Sequence, residues 1–136
     1  MNAVVTGGAG FIGSHLVDAL VTRGDAVTVI DNLSTGDLRY IDGHIRSGAA
    51  RFVHADLRGN EWQDALFGQD RIYHLAADPD VRASAGRPAG VFDQNVVATV
   101  NVLEAMRKTG CSEIVFTSTS TVYGEAKIIP TPETYE

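Results

Sequence analysis

Three glycines spaced three apart, where an apolar strand gives way to an amphipathic helix, constrain this chain more than any other feature. The segment Val4-Val5-Thr6-Gly7-Gly8-Ala9-Gly10-Phe11-Ile12-Gly13-Ser14-His15-Leu16 starts as a β-branched run, turns through Gly7, Gly10 and Gly13, and continues with helical periodicity. Gly7 allows the tight strand-to-helix turn. Gly10 lets a ligand approach the backbone with no Cβ in the way, and Gly13 lets the helix pack close to the strand. The helix start offers unpaired N–H groups and a partial positive charge, which is what a pyrophosphate requires.

The context completes the pattern. A second apolar strand, Ala26-Val27-Thr28-Val29-Ile30, ends in Asp31, 18 positions after Gly13. An acidic side chain there accepts hydrogen bonds from the ribose hydroxyls of an adenosine. It also repels a 2′-phosphate, and no arginine stands beside it to reverse that preference. Strand, turn, helix, strand and acid in this order predict a dinucleotide site that takes NAD rather than NADP.

Alternation continues along the chain. Residues 2–6, 26–30, 51–55, 71–75 and 113–117 read as strands. Residues 11–23 read as a helix with Phe11, Ile12, Leu16, Ala19 and Leu20 on its buried face, stopped at Gly24. Residues 60–67 read as a short helix capped by Asn60, with Trp62 and Phe67 in the core. A long helix is expected over 89–108, ending at Gly110. Residues 32–50 read as irregular, with a short helical turn near Asp37–Tyr40. This order predicts an α/β fold: a Rossmann doubly wound parallel sheet of about five strands with helices on both faces. The stretch after Gly124 ends in what reads as a loop, whereas such folds continue with a sixth strand. The chain is therefore expected to be the front part of a longer protein, with the substrate domain absent from it.

Composition narrows the function. The net charge is −6 and no basic cluster occurs, which argues against nucleic acid as a partner. Cys111 is the single cysteine, so neither a disulfide framework nor a cysteine-rich metal site is available within the chain. The four histidines show no metal-ligand spacing. The apolar runs fall far short of a membrane span, and the chain enters its first strand at once, so a cytoplasmic protein without a signal peptide is expected. No Lys follows the glycines, which excludes a P-loop, and the glycine spacing does not fit an S-adenosylmethionine methyltransferase.

Five motifs then occur in order: Thr6-Gly7-Gly8-Ala9-Gly10-Phe11-Ile12-Gly13; Asp31-Asn32-Leu33-Ser34-Thr35-Gly36; His74-Leu75-Ala76-Ala77; Asn95; and Thr117-Ser118-Thr119-Ser120-Thr121-Val122-Tyr123-Gly124. Together they resemble the extended short-chain dehydrogenases, and within them the NAD-dependent nucleotide-sugar epimerases and dehydratases, most of all the UDP-glucose 4-epimerases. The resemblance implies NAD as cofactor, a UDP-hexose as substrate, and a homodimer for the full-length protein. It implies that Phe11 and Ile12 present N–H groups to the pyrophosphate. Asp31 and Asn32 would hold the adenosine ribose, with Leu33, Ser34, Thr35 and Gly36 lining that end. Asp56 and Leu57 would contact the adenine. Leu75, Ala76 and Ala77 would pack along the nicotinamide side together with Thr117, and Asn95 would stabilise the backbone near it. Thr119 would be the catalytic hydroxyl on the reacting sugar oxygen. Such an enzyme oxidises the sugar at C4, turns the ketone over and reduces it from the other face.

Tyr123 and Lys127 have the four-residue spacing of that family's proton-transfer pair. The spacing works only on a helix, and here Gly124 follows the Tyr while Ile128-Ile129-Pro130 follows the Lys. The pair is read as a coincidence, with the true one expected beyond Glu136 and this chain alone inactive. Two rival readings remain. A nucleotide-sugar 4,6-dehydratase would carry an Asp-Glu pair after its active-site Thr, where this chain has Ser120-Thr121. The other rival is a non-catalytic NAD-binding sensor. Arg82 reads as a solvated loop arginine rather than a diphosphate ligand.

Overall fold

A computed structural model describes residues 1–135, without the side chains of Val81, Ala83 and Ser84. Five strands form one parallel sheet: β1 (Asn2–Thr6), β2 (Ala26–Asp31), β3 (Ala50–His54), β4 (Arg71–His74) and β5 (Glu113–Phe116). Their spatial order is β3-β2-β1-β4-β5. All four pairings are parallel, with Val5 opposite Val29 on one side and Tyr73 on the other. The chain leaves β1 in one direction to build β2 and β3, then crosses back to build β4 and β5. That reversal opens a crevice at the carboxyl ends of β1 and its neighbours, where folds of this kind bind ligands.

The period-two alternation of β1 fills two cores. Ala3 and Val5 face one side, with Val27, Val29 and Tyr73, and are covered by Val17 and Leu20 of α1 (Phe11–Thr22). Ile41 and Ile45, from the start of and within α2 (Asp42–Arg46), complete that layer. Val4 faces the other side with Ile30 and Ile72 and packs against Ala98, Val102, Ala105 and Met106. Trp62 and Leu66 close this second core beside Cys111. Each inward side chain loses nearly all contact with water, which stabilises by roughly 1.5–3 kcal/mol for a fully buried aliphatic one.

Several expectations need correcting. In α1 the buried face is Gly13, Ser14, Val17 and Leu20, not the face through Phe11, Ile12 and Ala19. Phe11 and Ile12 are 75% and 66% exposed because the first turn overhangs the crevice rather than the sheet. Residues 60–67 hold only a 3₁₀ turn (Gln63–Leu66) with no side-chain cap; Asn60 contributes a backbone carbonyl to Gln63 instead. Trp62 is buried as expected, but Phe67 is 60% exposed, since it leaves that turn with extended backbone. The segment 32–50 contains the 3₁₀ turn Leu38–Tyr40, capped by the Asp37 carboxylate, and also α2.

The loop before the long helix contains α3 (Val81–Gly86). The long helix itself begins as α4 (Pro88–Phe92), widens into a π turn at Asp93–Val97, and continues as α5 (Ala98–Thr109). Gly110 ends it with φ +79°, a left-handed conformation that glycine adopts without strain. No helix among the described residues is long and apolar enough to cross a membrane. Nor does any group of His, Cys, Asp and Glu among them have the makings of a metal site.

Candidate functional site: a dinucleotide groove

A groove of about 340 Å³ runs over the carboxyl ends of the strands. That lies within the usual size of small-molecule sites. Gly7, Gly10, Phe11, Ile12 and Gly13 form its central floor. Close packing makes the turn: a Cβ on Gly13 would stand 2.1 Å from the Gly7 carbonyl oxygen, and one on Gly7 would stand 2.8 Å from the Ala76 nitrogen. Gly7 itself has φ +70°. Helix α1 starts with no side-chain cap and no acidic residue in its first turn. Its N-terminal donors and dipole therefore face the groove uncompensated, and the site fits an anionic pyrophosphate.

Asp31, at the end of β2, is 9% exposed and lines one end of the groove. Its Oδ2 accepts the Ala9 N–H at 3.0 Å and its Oδ1 accepts the Leu33 N–H at 2.8 Å. A carboxylate has about four lone-pair sites, so acceptor capacity remains on both oxygens for a pair of ribose hydroxyls. Asn32, Ser34, Thr35 and Leu57 line the same end.

Leu33, Gly36 and Asp56 stand behind this wall rather than on it. Leu33 turns with φ +57° and packs into the α1-side core. Gly36 passes so close to Ala9 that a Cβ would lie 2.9 Å from its carbonyl oxygen. Asp56 accepts from Asn32 Nδ2 at 3.1 Å, and the Arg58 guanidinium holds its carboxyl well below the usual carboxylate range. It orients Asn32 from the rear.

Leu75, Ala76, Ala77 and Thr117 line the opposite end, beyond β1 from Asp31. Pro79, Gln94 and Ala98 also line the groove, and Ile30 and Ala55 add apolar lining beside Asp31. None of these five carries a motif signal; a groove wall needs only small or apolar atoms at the right place. Asn95 lies off the lining. Its Oδ1 accepts the Asp78 N–H at 2.7 Å and its Nδ2 donates to the Asp78 carbonyl at 3.1 Å, so it clips the loop after β4. The Arg87 guanidinium adds an ion pair to Asp78 at 2.8 Å.

Thr119 is exposed, three residues past β5, and is not on the groove lining. Its hydroxyl lies 3.0 Å from that of Thr121. Tyr123 closes a 3₁₀ turn (Ser120–Tyr123), and Gly124 follows with φ +63°. Tyr123 and Lys127 therefore share no helical face. Arg82 is exposed as expected, but it lies on α3 rather than in a loop.

A polar network centres on His74, at the end of β4. His74 is 2% exposed, and burial pushes its pKa down to about 4. Its ring lies 2.7 Å from the Thr6 hydroxyl and 3.0 Å from the Thr99 hydroxyl. Thr99 donates to the Asn95 carbonyl at 2.7 Å, so it must accept from His74 Nε2–H, and Nδ1 accepts from Thr6.

The chain matches the NAD dependent epimerase/dehydratase family over residues 3–136. It belongs to that family. A curated relative, the UDP-glucose 4-epimerase of Lacticaseibacillus casei, is 40% identical across 98% of this chain and 40% of its own length. A crystal structure of a UDP-galactose 4-epimerase superposes with a TM-score of 0.84 at 49% identity, covering 99% of this chain and 44% of that one. The UDP-glucose 4-epimerase of Thermus thermophilus in complex with NAD gives a TM-score of 0.86 at 38% identity, over 99% of this chain and 43% of that one. This epimerase/dehydratase chain thus spans about two-fifths of the length of the relatives it matches. Within the family fold its glycine turn, Asp31 and the β4 wall surround one groove.

Proposed function

We propose that the chain is the NAD-binding part of a nucleotide-sugar epimerase that interconverts UDP-glucose and UDP-galactose, a step of galactose metabolism. The observation that carries this reading is the groove: an uncapped helix start at its centre and a buried, preorganised carboxylate at one end, in a chain 49% identical to a UDP-galactose 4-epimerase. Asp31 would accept the adenosine ribose hydroxyls, and the N–H groups of Phe11 and Ile12 would take the pyrophosphate. Leu75, Ala76, Ala77 and Thr117 would flank the far half. NAD, when bound, supplies the hydride acceptor for oxidation at sugar C4.

Thr119 would hydrogen-bond the reacting oxygen, since a hydroxyl can donate or accept as that oxygen alternates between alcohol and ketone. Its place beyond the carboxyl end of β5 supports the role. We read residues 1–136 as one domain, with the nucleotide-sugar domain and the helix-borne Tyr and Lys outside it. We infer a cytoplasmic homodimer as the working form. The exposed apolar stripe Phe92, Val96, Val100 and Leu103 supports the dimer, and the free, buried Cys111 fits a reducing compartment.

The experiment is a chimera in which this chain replaces the matching part of the 49%-identical UDP-galactose 4-epimerase. Supplied with NAD, it should convert UDP-galactose to UDP-glucose, whereas the 136-residue chain alone should not. A folded chimera that binds NADH without epimerising, or sustained turnover by the chain alone that Tyr123→Phe abolishes, would contradict the reading.

A further inference from the structure

The groove has two ends on opposite sides of β1, and the two are fixed differently. Asp31 fixes its own end directly, through Ala9 and Leu33. The far wall, Leu75 to Pro79, is tied by the Leu75 N–H to the Thr6 carbonyl and by the exposed Arg87 ion pair to Asp78. It is also held by a hydrogen-bonded chain that starts buried at β1 and runs through half-buried positions of the long helix. The Ala76 N–H donates to Thr6 Oγ1 at 3.3 Å, the Thr6 hydroxyl donates to His74 Nδ1, and His74 Nε2–H donates to Thr99. Thr99 donates to the Asn95 carbonyl, and the Asn95 amide grips Asp78 from both backbone sides. Asn95 sits in the π turn, a wider coil that is common at functional sites. Phe116 stacks on the His74 ring at 5.7 Å between centroids. Every polar atom of the imidazole is used, and none of it touches the groove.

We propose that His74 is a positioning residue for the half of the groove distal to Asp31: through Thr99 and Asn95 it sets where the Leu75–Pro79 wall stands, and so governs grip on the second nucleoside of a dinucleotide. This rests on the reading of the groove as a dinucleotide site. The chemistry requires a ring with an acceptor on one edge and a donor on the other, spanning β1 and α5. A purely apolar side chain keeps the stack on Phe116 but leaves the buried hydroxyl of Thr6 and the half-buried one of Thr99 without one partner each.

The test compares two probes on the 136-residue chain. NADH would fill both ends of the groove, while ADP, which lacks the second nucleoside, would reach only the Asp31 end and the pyrophosphate floor. Two variants cut the chain at different links, His74→Phe and Thr99→Val. Two others restore it: His74→Gln keeps a donor toward Thr99, and Thr99→Ser keeps the hydroxyl. The expected result is NADH affinity weakened about tenfold in both cutting variants, ADP affinity changed by less than about twofold, and most NADH affinity recovered in both restoring variants. If wild-type chain binds neither probe, the dinucleotide reading falls, and this proposal with it. If wild-type binds both and the cutting variants weaken both equally, or neither, the positioning role alone is overturned. Should His74→Phe melt near room temperature, Thr99→Val decides, because it leaves the Thr6–His74 contact in place.

Discussion

Asp31 Oδ2 accepts the backbone N–H of Ala9 at 3.0 Å, which joins the end of β2 to the glycine-rich turn after β1. The residue that would read the ribose also holds the loop that would bind the phosphates. Asp31→Ala removes this acceptor and leaves the N–H of a fully buried Ala9 without its partner. Stability should fall by about 2 kcal/mol, measured as a shift in the urea midpoint, and Asp31→Asn should lose less because one acceptor oxygen remains.

Two glycine substitutions should move stability in opposite directions. Gly13→Ala drives a Cβ to 2.1 Å from a backbone oxygen and 2.7 Å from Gly8 Cα, neither of which is a flexible side-chain end. We expect a loss of about 3 kcal/mol or more, together with loss of NADH binding. Gly43 lies exposed within α2, with nothing within 4 Å of its Cβ position. Gly43→Ala should raise stability by about 0.5–1 kcal/mol, and thermal melts of the two variants would check both signs.

Stability should depend on pH through His74. The folded ring is neutral and its pKa is lowered to about 4 from an ordinary 6.5. The unfolded chain therefore binds a proton that the folded one refuses between those values. The contribution is complete above about pH 6.5 and is lost as pH falls toward 4, by roughly 3 kcal/mol in all. Urea titrations at intervals across that window should give a steeper loss for wild type than for His74→Gln. Equal slopes would show that the ring is not held neutral.

Thr119→Val in the active chimera removes the hydroxyl and nearly conserves shape. Turnover of UDP-galactose should fall about 10²–10⁴-fold, while NADH affinity changes little. Wild-type turnover in the Val variant would remove Thr119 from the site.

Much of this was legible in the sequence because strong local signals agree with the global fold. Apolar β-branched runs in β1 and β2 mark strands buried on both faces, and the glycine spacing marks the turn between sheet and helix. Asp31 followed from that order, whereas Asn32, Ser34, Thr35 and Thr117 came from the family resemblance. What stayed hidden depends on tertiary placement. Phe11 and Ile12 share the apolar character of core residues, yet the first turn of α1 extends past the sheet and leaves them over the groove. Ile30, Ala55, Pro79, Gln94 and Ala98 line the groove by position alone. The π turn at Asp93–Val97 follows from no residue pattern, and His74 reads as an ordinary strand residue until Thr6 and Thr99, distant in sequence, close on its ring.

The most direct measurement is a fluorescence titration of the 136-residue chain with NADH and with NADPH at one ionic strength. NADH should bind at least about tenfold tighter, because the Asp31 carboxylate would accept from a free 2′-hydroxyl and repel a 2′-phosphate. In Asp31→Asn the gap between the two should narrow. Equal or tighter binding of NADPH by the wild-type chain would contradict the assignment of this groove to NAD.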